Sequence, residues 1–200
     1  MRYSVIAIER EYASGGREIG EKTAEILGIP CYNSQVLQMA AQKLGKSPDY
    51  VQEMDETAPN SLLYSLSVMA KPISFDGSRV DTANSLHAAE AKVVWNLAQE
   101  GPCVIIGRCA GVILKDRRDV LRVFIHAAPE FRAKRAQEEY GIPEREIAQT
   151  LRRFDRKRAG YYSFFSTQKW DGRSGYDLML DSSKLGLESS AKLLAFLARG

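Results

Sequence analysis

The sequence predicts an α/β fold in which helices cover a parallel sheet. Short apolar runs alternate along the chain with longer stretches of helical period, which is the pattern of strands joined by crossover helices. One of these runs, residues 103–106, is apolar throughout, as expected for a strand buried on both faces. Ligands of such sheets bind beyond the carboxyl ends of the strands. We therefore expect the functional residues directly after the strands.

The first predicted strand, Val5 to Ile8, is rich in β-branched residues and is followed by a glycine turn and a helix that ends near Gly28. Four further strands are predicted at residues 29–32, 103–106, 121–125 and 178–180. Further helices are predicted at residues 35–44, from 47 or 48 to 54, from Asn84 or Ser85 to 99, and at 129–140, 143–158 and 187–197. Residues 55–83 are expected to be loop and irregular helix.

Composition limits the classes of protein that fit. The 200 residues are 44% hydrophobic and 26% charged, which is typical of one globular domain spanning residues 1–200. The net charge of +3 argues against a general nucleic-acid surface, and no apolar run approaches the roughly 20 residues that cross a bilayer. Charge at Glu9–Glu11 comes too early for a signal peptide, and three cysteines without metal-site spacing favour a reduced, cytoplasmic protein.

The turn after the first strand has the chemistry of a phosphate site. Amides of a first helical turn lack intrahelical partners and bind anions, and glycines let the backbone approach them closely. Compared with the P-loop pattern G-x-x-x-x-G-K-[ST], Gly16 is the second glycine, Arg17 takes the lysine position, Glu11 replaces the first glycine and Glu18 replaces the hydroxyl residue. A tight strand-to-helix turn without a ligand is the alternative interpretation.

A strongly basic segment lies between the fourth and fifth predicted strands. Residues 132–158 contain seven arginines and two lysines. Phosphoryl transfer depends on positive charge placed around the transferring group, so this segment suits the phosphate end of the sheet. A solvated basic helix is the alternative.

With these features the chain resembles the cytidylate kinase-like family, a branch of the P-loop nucleoside monophosphate kinases. The resemblance covers nearly the whole chain. It is carried by Ser14-Gly15-Gly16-Arg17-Glu18-Ile19, Gly107-Arg108, Arg132, Arg135, Asp155-Arg156-Lys157-Arg158-Ala159, and Tyr176-Asp177-Leu178 with Asp181-Ser182-Ser183.

The resemblance implies a P-loop kinase-type three-layer sandwich with a five-stranded parallel sheet, a monophosphate-binding insertion at residues 33–100 and a helical lid at residues 128–175. It implies transfer of a phosphoryl group from ATP, with Mg²⁺, to a nucleoside monophosphate, first of all CMP or dCMP. The donor site would comprise Ser14, Gly15, Gly16, Arg17 and Glu18, with Glu18 also the metal ligand. The catalytic arginines would be Arg17, Arg132, Arg135 and Arg153, and the acceptor would be held by Arg108, Asp155 and Arg158.

The chain departs from true cytidylate kinases at the P-loop lysine, at the hydroxyl after it, and at Cys109, where a Gly-Arg-Asp motif has aspartate. Glu18 could bind Mg²⁺ or repel phosphate. Two alternatives therefore stay open: a nucleotide- or anion-binding module without catalysis, and a kinase with a non-nucleotide acceptor. His87 is expected to be structural. The aromatic residues of the lid are expected either to stack a base or to pack the lid against the core: Tyr161, Tyr162, Phe164, Phe165 and Trp170.

Overall fold

The computed structural model describes residues 1–47 and 78–200, with side chains described outside residues 48–83. Within this part of the chain five strands form one parallel sheet in the order β2-β3-β1-β4-β5. The strands are β1 (Val5–Arg10), β2 (Cys31–Tyr32), β3 (Cys103–Ile106), β4 (Val120–His126) and β5 (Leu178–Asp181). The central strand, β1, pairs with β3 on one side and with β4 on the other. The predicted fold class is therefore confirmed.

Helices cover both faces of the sheet. In the described residues these are α1 (Gly16–Leu27), α2 (Ser34–Lys43), α3 (Ser78–Glu100), α4 (Ala110–Ile113), α5 (Pro129–Glu138), α6 (Glu144–Phe165), α7 (Ser182–Leu185) and α8 (Leu187–Arg199), with a 3₁₀ turn at Arg173–Gly175. One core lies between the sheet, α1 and α8, and a second lies between the sheet, α2 and α3. Among the described helices, none combines the length and apolar character that a bilayer-spanning segment requires.

Several boundaries differ from the sequence prediction. The helix expected to begin at Asn84 or Ser85 begins at Ser78, so both proposed caps lie inside it and residues 78–83 are not loop. Helix α6 continues past Arg158 to Phe165, because its last turns carry aromatic side chains that pack on the core. The predicted helix at 47 or 48 to 54 falls almost wholly outside the described residues, as do residues 55–77.

Helix α1 approaches the sheet closely at Gly20. A Cβ atom at this position would lie 2.8 Å from Ile106 Cδ1 and 3.2 Å from Ile8 Cδ1. Both isoleucines are fully buried in β3 and β1, where close packing resists a shift of their side chains. The absence of a side chain at Gly20 thus fixes how near the start of α1 lies to the carboxyl ends of the strands.

We predict that Gly20→Val destabilises the protein by about 1–3 kcal/mol, because the added methyl groups overpack this contact. Glu25→Val on the exposed side of the same helix is the matched control, since it places the same β-branched residue in α1 without a core contact. Urea unfolding of both variants measures the difference. Equal loss of stability in the two variants would contradict the packing explanation.

Candidate functional site

The glycine turn joins the end of β1 to the start of α1. Ala13 and Gly15 adopt left-handed backbone conformations, with φ of 60° and 77°, and Gly15 is the residue that caps α1. Ser14 is fully buried; its Oγ donates to the carbonyl of Glu11 at 2.9 Å, and its own carbonyl accepts from Ser182 Oγ at 2.6 Å. The shape of the turn is therefore set by internal hydrogen bonds.

Arg132 and Asp155 clamp the turn from the side of α5 and α6. Arg132 is only 7% exposed; its Nε donates to the carbonyl of Tyr12 at 2.8 Å, and its Nη1 lies 3.2 Å from Glu11 Oε2. Its Nη2 forms an ion pair with Asp155, whose other oxygen accepts the Tyr12 N–H at 2.8 Å. Both backbone groups of Tyr12 are thus bound by one buried ion pair.

Two more predicted arginines contact the same turn. Arg158 Nη1 donates to the carbonyl of Arg10 at 3.0 Å, and its guanidinium carbon lies 5.7 Å from the centre of the Tyr12 ring. Burial lowers the pKa of Arg158, while Asp155 opposes that shift. Arg135 forms an ion pair with Glu18 in the first turn of α1.

The other two predicted catalytic arginines lie elsewhere. The Arg17 side chain is 68% exposed, and its Nε donates to Glu21 Oε1 at 2.8 Å, along the outer surface of α1. This hydrogen bond raises the pKa of Arg17. Arg153 is exposed on α6, with its guanidinium 5.1 Å from the Phe154 ring centre. Of the predicted basic set, the structure brings Arg132, Arg135 and Arg158 to the turn.

Arg108 occupies a strained segment after β3. Gly107, Arg108 and Cys109 are three consecutive residues with left-handed φ, at 75°, 58° and 53°. Non-glycine residues rarely adopt this conformation, and such strain concentrates at functional sites. Arg108 Nη1 lies 3.1 Å from Oε1 of the fully buried Glu90, whose Oε2 accepts from the Tyr161 hydroxyl.

Glu90 is a site residue that sequence reasoning missed. The signal was available, because Glu90 lies one turn from both Leu86 and Val93 on the apolar face of its helix. A carboxylate on such a face needs a buried cation as its partner, and Arg108 supplies it.

The aromatic residues predicted to belong to a lid pack within the protein. Tyr162 and Trp170 are buried in a cluster with Phe124 and Cys109, and burial raises the pKa of the Cys109 thiol. Phe165 stacks on His87 with ring centres 3.5 Å apart. These contacts agree with the packing interpretation.

A magnesium ligand set is absent from the described residues, where no group of three His, Cys, Asp or Glu side chains could hold a metal ion. Glu18, the predicted ligand, is already paired with Arg135. Kinases usually hold Mg²⁺ through one or two carboxylates together with substrate phosphates. The described residues therefore do not fit a preformed metal site, and Glu18 as a ligand stays a prediction.

We predict that Arg132→Met costs about 3–5 kcal/mol in unfolding free energy, because it leaves the carboxylates of Asp155 and Glu11 without their buried cation. Lys134→Met, on the exposed face of α5, should change stability by no more than about 0.5 kcal/mol. Urea denaturation followed by circular dichroism compares the two. Similar losses of stability in both variants would contradict the role of Arg132 in holding the turn.

Burial lowers the pKa of His87 from 6.5 to about 4. Between these pH values the unfolded chain binds a proton at this residue and the folded protein does not, so stability falls as the pH falls. His87→Phe keeps a ring against Phe165 and removes the titrating group. Unfolding measured from pH 6.5 to pH 4 should show a shallower loss in this variant, and equal slopes would contradict the assignment.

Solved structures share the fold. An uncharacterized protein from Eubacterium ventriosum ATCC 27560 is 21% identical, with a TM-score of 0.72 and 98% of each chain covered. Shikimate kinase from Acinetobacter baumannii is 15% identical with a TM-score of 0.54, covering 98% of this chain and 92% of its own. Shikimate kinase from Bacteroides thetaiotaomicron is 12% identical with a TM-score of 0.52, covering 98% of each. At these identities the likeness shows the fold alone.

No curated protein matches the chain. A family model does match, over residues 5–184, and its description is the cytidylate kinase-like family. The match includes the glycine turn, the strained segment after β3 and the arginines of α5 and α6. It supports phosphoryl transfer as the general class of reaction. The chain therefore belongs to the cytidylate kinase-like family.

Proposed function

We propose that this protein transfers the γ-phosphoryl group of ATP to a nucleoside monophosphate, with CMP or dCMP as the first acceptor. One observation carries the proposal: Arg132, Arg135 and Arg158 of α5 and α6 converge on the glycine turn at the carboxyl edge of the sheet. A phosphoryl group in transfer needs positive charge held in advance around its oxygens, and these side chains supply it.

The donor phosphates would bind at the start of α1. Amides of Gly15 and Gly16 belong to the first turn of this helix, where the helix dipole also favours an anion. Arg135 contacts Glu18 in the same turn, so a phosphate there would compete with a carboxylate for the same guanidinium. If a phosphate replaced Glu18, the guanidinium of Arg135 would still be paired with an anion.

The acceptor site is proposed from the family resemblance, with Arg108, Asp155 and Arg158 as its residues. Arg158 contacts the end of β1, and Arg108 follows β3, the strand beside β1. Asp155 already accepts from the Tyr12 N–H and from Arg132, and the remaining lone pairs of its carboxylate would accept from a nucleotide. The monophosphate-binding insertion at 33–100 and the lid at 128–175 belong to the same proposal, as do ATP as the donor and a cytoplasmic location.

The contacts between lid and turn suggest how water is excluded. The Tyr12 ring stacks on Phe154 of α6, with centres 4.3 Å apart and planes within 8°, and lies 5.5 Å from the Tyr140 ring. These apolar surfaces cover the side of the turn that faces the lid helices. A covered site favours transfer to the acceptor over transfer to water.

A second candidate is a nucleotide-binding module without catalysis. Arg17 at the motif's lysine position points along the outside of α1 toward Glu21, and Glu18 at the hydroxyl position is paired with Arg135. Neither residue then serves phosphate in the arrangement of a standard P-loop. Phosphate would still bind to the amides of the glycine turn, whereas phosphoryl transfer also depends on the lid arginines.

We predict that the purified protein converts CMP or dCMP to the diphosphate with ATP and Mg²⁺, measured by chromatography of the products. Arg158→Ala should lower turnover by at least about 100-fold, because it removes a preorganised cation. Arg145→Ala is the matched control: it removes an arginine from the exposed start of the same helix and should leave turnover unchanged.

Other outcomes would overturn parts of the proposal. Turnover that is unaffected by Arg158→Ala would remove this residue from the site. Nucleotide binding without diphosphate formation for any acceptor would favour the binding module. Transfer only to a non-nucleotide hydroxyl compound would keep the kinase and replace its acceptor.

A further inference from the structure

The proposed site lacks the P-loop lysine, and the geometry of α1 shows where that position lies. Helix α1 begins at Gly16, with Gly15 as its cap. If Gly15 is the second glycine of G-x-x-x-x-G-K-[ST], Gly16 takes the lysine position and Arg10 takes that of the first glycine. In this alignment the position of the first glycine holds a cation, Arg10, which lies at the end of β1.

The two arginines differ in where their side chains lie. Arg17 is exposed and paired with Glu21 on the outside of α1. Arg10, by contrast, has a side chain that is 18% exposed and lies at the carboxyl edge of the sheet, where its Nη1 is 3.9 Å from Glu9 Oε2. The backbone of Arg10 is held there by Arg158, which donates to its carbonyl.

Two glycines make room for the Arg10 side chain. A Cβ atom at Gly16 would lie 2.6 Å from Arg10 Cβ and 2.9 Å from its Cγ, so a lysine could not occupy that position without displacing Arg10. A Cβ atom at Gly107 would overlap Arg10 Nη1. The Arg10 side chain thus extends from the start of α1 to the end of β3, across the carboxyl ends of the neighbouring strands β1 and β3.

The Arg10 side chain lies along the proposed site. The first-turn amides of α1 lie at one end of it and the strained segment at Gly107 and Arg108 lies at the other. A guanidinium is permanently charged, and its planar fork of donors binds two phosphate oxygens at once. Partial burial strengthens such a contact, because less water competes for the phosphate.

We propose that Arg10 replaces the P-loop lysine as the cation that binds the terminal phosphates of a nucleoside triphosphate. Arg10 does so from the end of β1 rather than from the start of α1, and Gly16 and Gly107 are the residues that allow it. The inference rests on the proposed function for its ligand class. It concerns binding, however, and holds for a catalytic protein and for a binding module alike.

The test is the affinity for ATP, measured by isothermal titration calorimetry on the full chain. Arg10→Met should weaken binding roughly 10- to 100-fold, as expected for the loss of a hydrogen-bonded charged group. Arg145→Met, at the exposed start of α6, is the matched control and should stay within about twofold of the natural protein. Arg17→Met tests the rival position, whose side chain lies on the outer face of α1. Arg10→Lys keeps the charge without the fork and should weaken binding by roughly three- to tenfold.

The outcomes separate the two proposals. A large loss of ATP affinity in Arg17→Met, or none in Arg10→Met, would overturn the assignment of Arg10. If Arg10→Met fails to fold, Arg10→Lys against Arg17→Lys gives the same comparison, and equal affinities in those two would overturn it. ATP binding that depends on Arg10 without diphosphate formation would support the inference while refuting the kinase. A natural protein that binds no ATP would refute both.

Discussion

The buried ion pair between Arg132 and Asp155 is the contact on which the candidate site depends. It links α5 to α6, and through Tyr12 it links both helices to the turn after β1. Removing charges from water is costly, so such a pair persists only with further hydrogen bonds, and here the Tyr12 backbone and Glu11 provide them. The turn is therefore shaped before any ligand arrives, and little ordering is left for binding to impose.

Three arginines of the candidate site are paired with the protein's own carboxylates. Glu11 and Asp155 pair with Arg132, Glu18 pairs with Arg135 and Glu90 pairs with Arg108. This arrangement keeps a dense cluster of cations stable in the absence of an anion. A phosphate ligand would then take the place of carboxylates as the partner of these arginines. Its affinity would reflect the difference in free energy between the arginine–phosphate and the arginine–carboxylate pairs.

Sequence reasoning predicted the sheet well, because continuous apolar runs and glycine-bounded helices are local signals. It also predicted that the basic segment lies at the carboxyl edge of the sheet, and Arg132, Arg135 and Arg158 of this segment contact the turn after β1. It aligned the P-loop pattern on Gly16, which puts Arg17 at the lysine position, although the pattern can also be aligned on Gly15. The choice depends on where α1 begins and on which side of it each side chain points. The pairing of Glu90 could not be predicted either, because its partners Arg108 and Tyr161 are distant in sequence.

The position of β1 in the sheet has a consequence for how the chain is made. Of the five strands, β1 comes first in the sequence, yet Val5 pairs with Cys103 on one side and with Val120 on the other. The backbone edges of β1 thus have no partners until β3 and β4 have been synthesised. Contacts this distant in sequence close slowly, and unpaired strands aggregate readily in the meantime. We therefore expect β1 to be exposed to wrong pairing during synthesis until β3 and β4 are available.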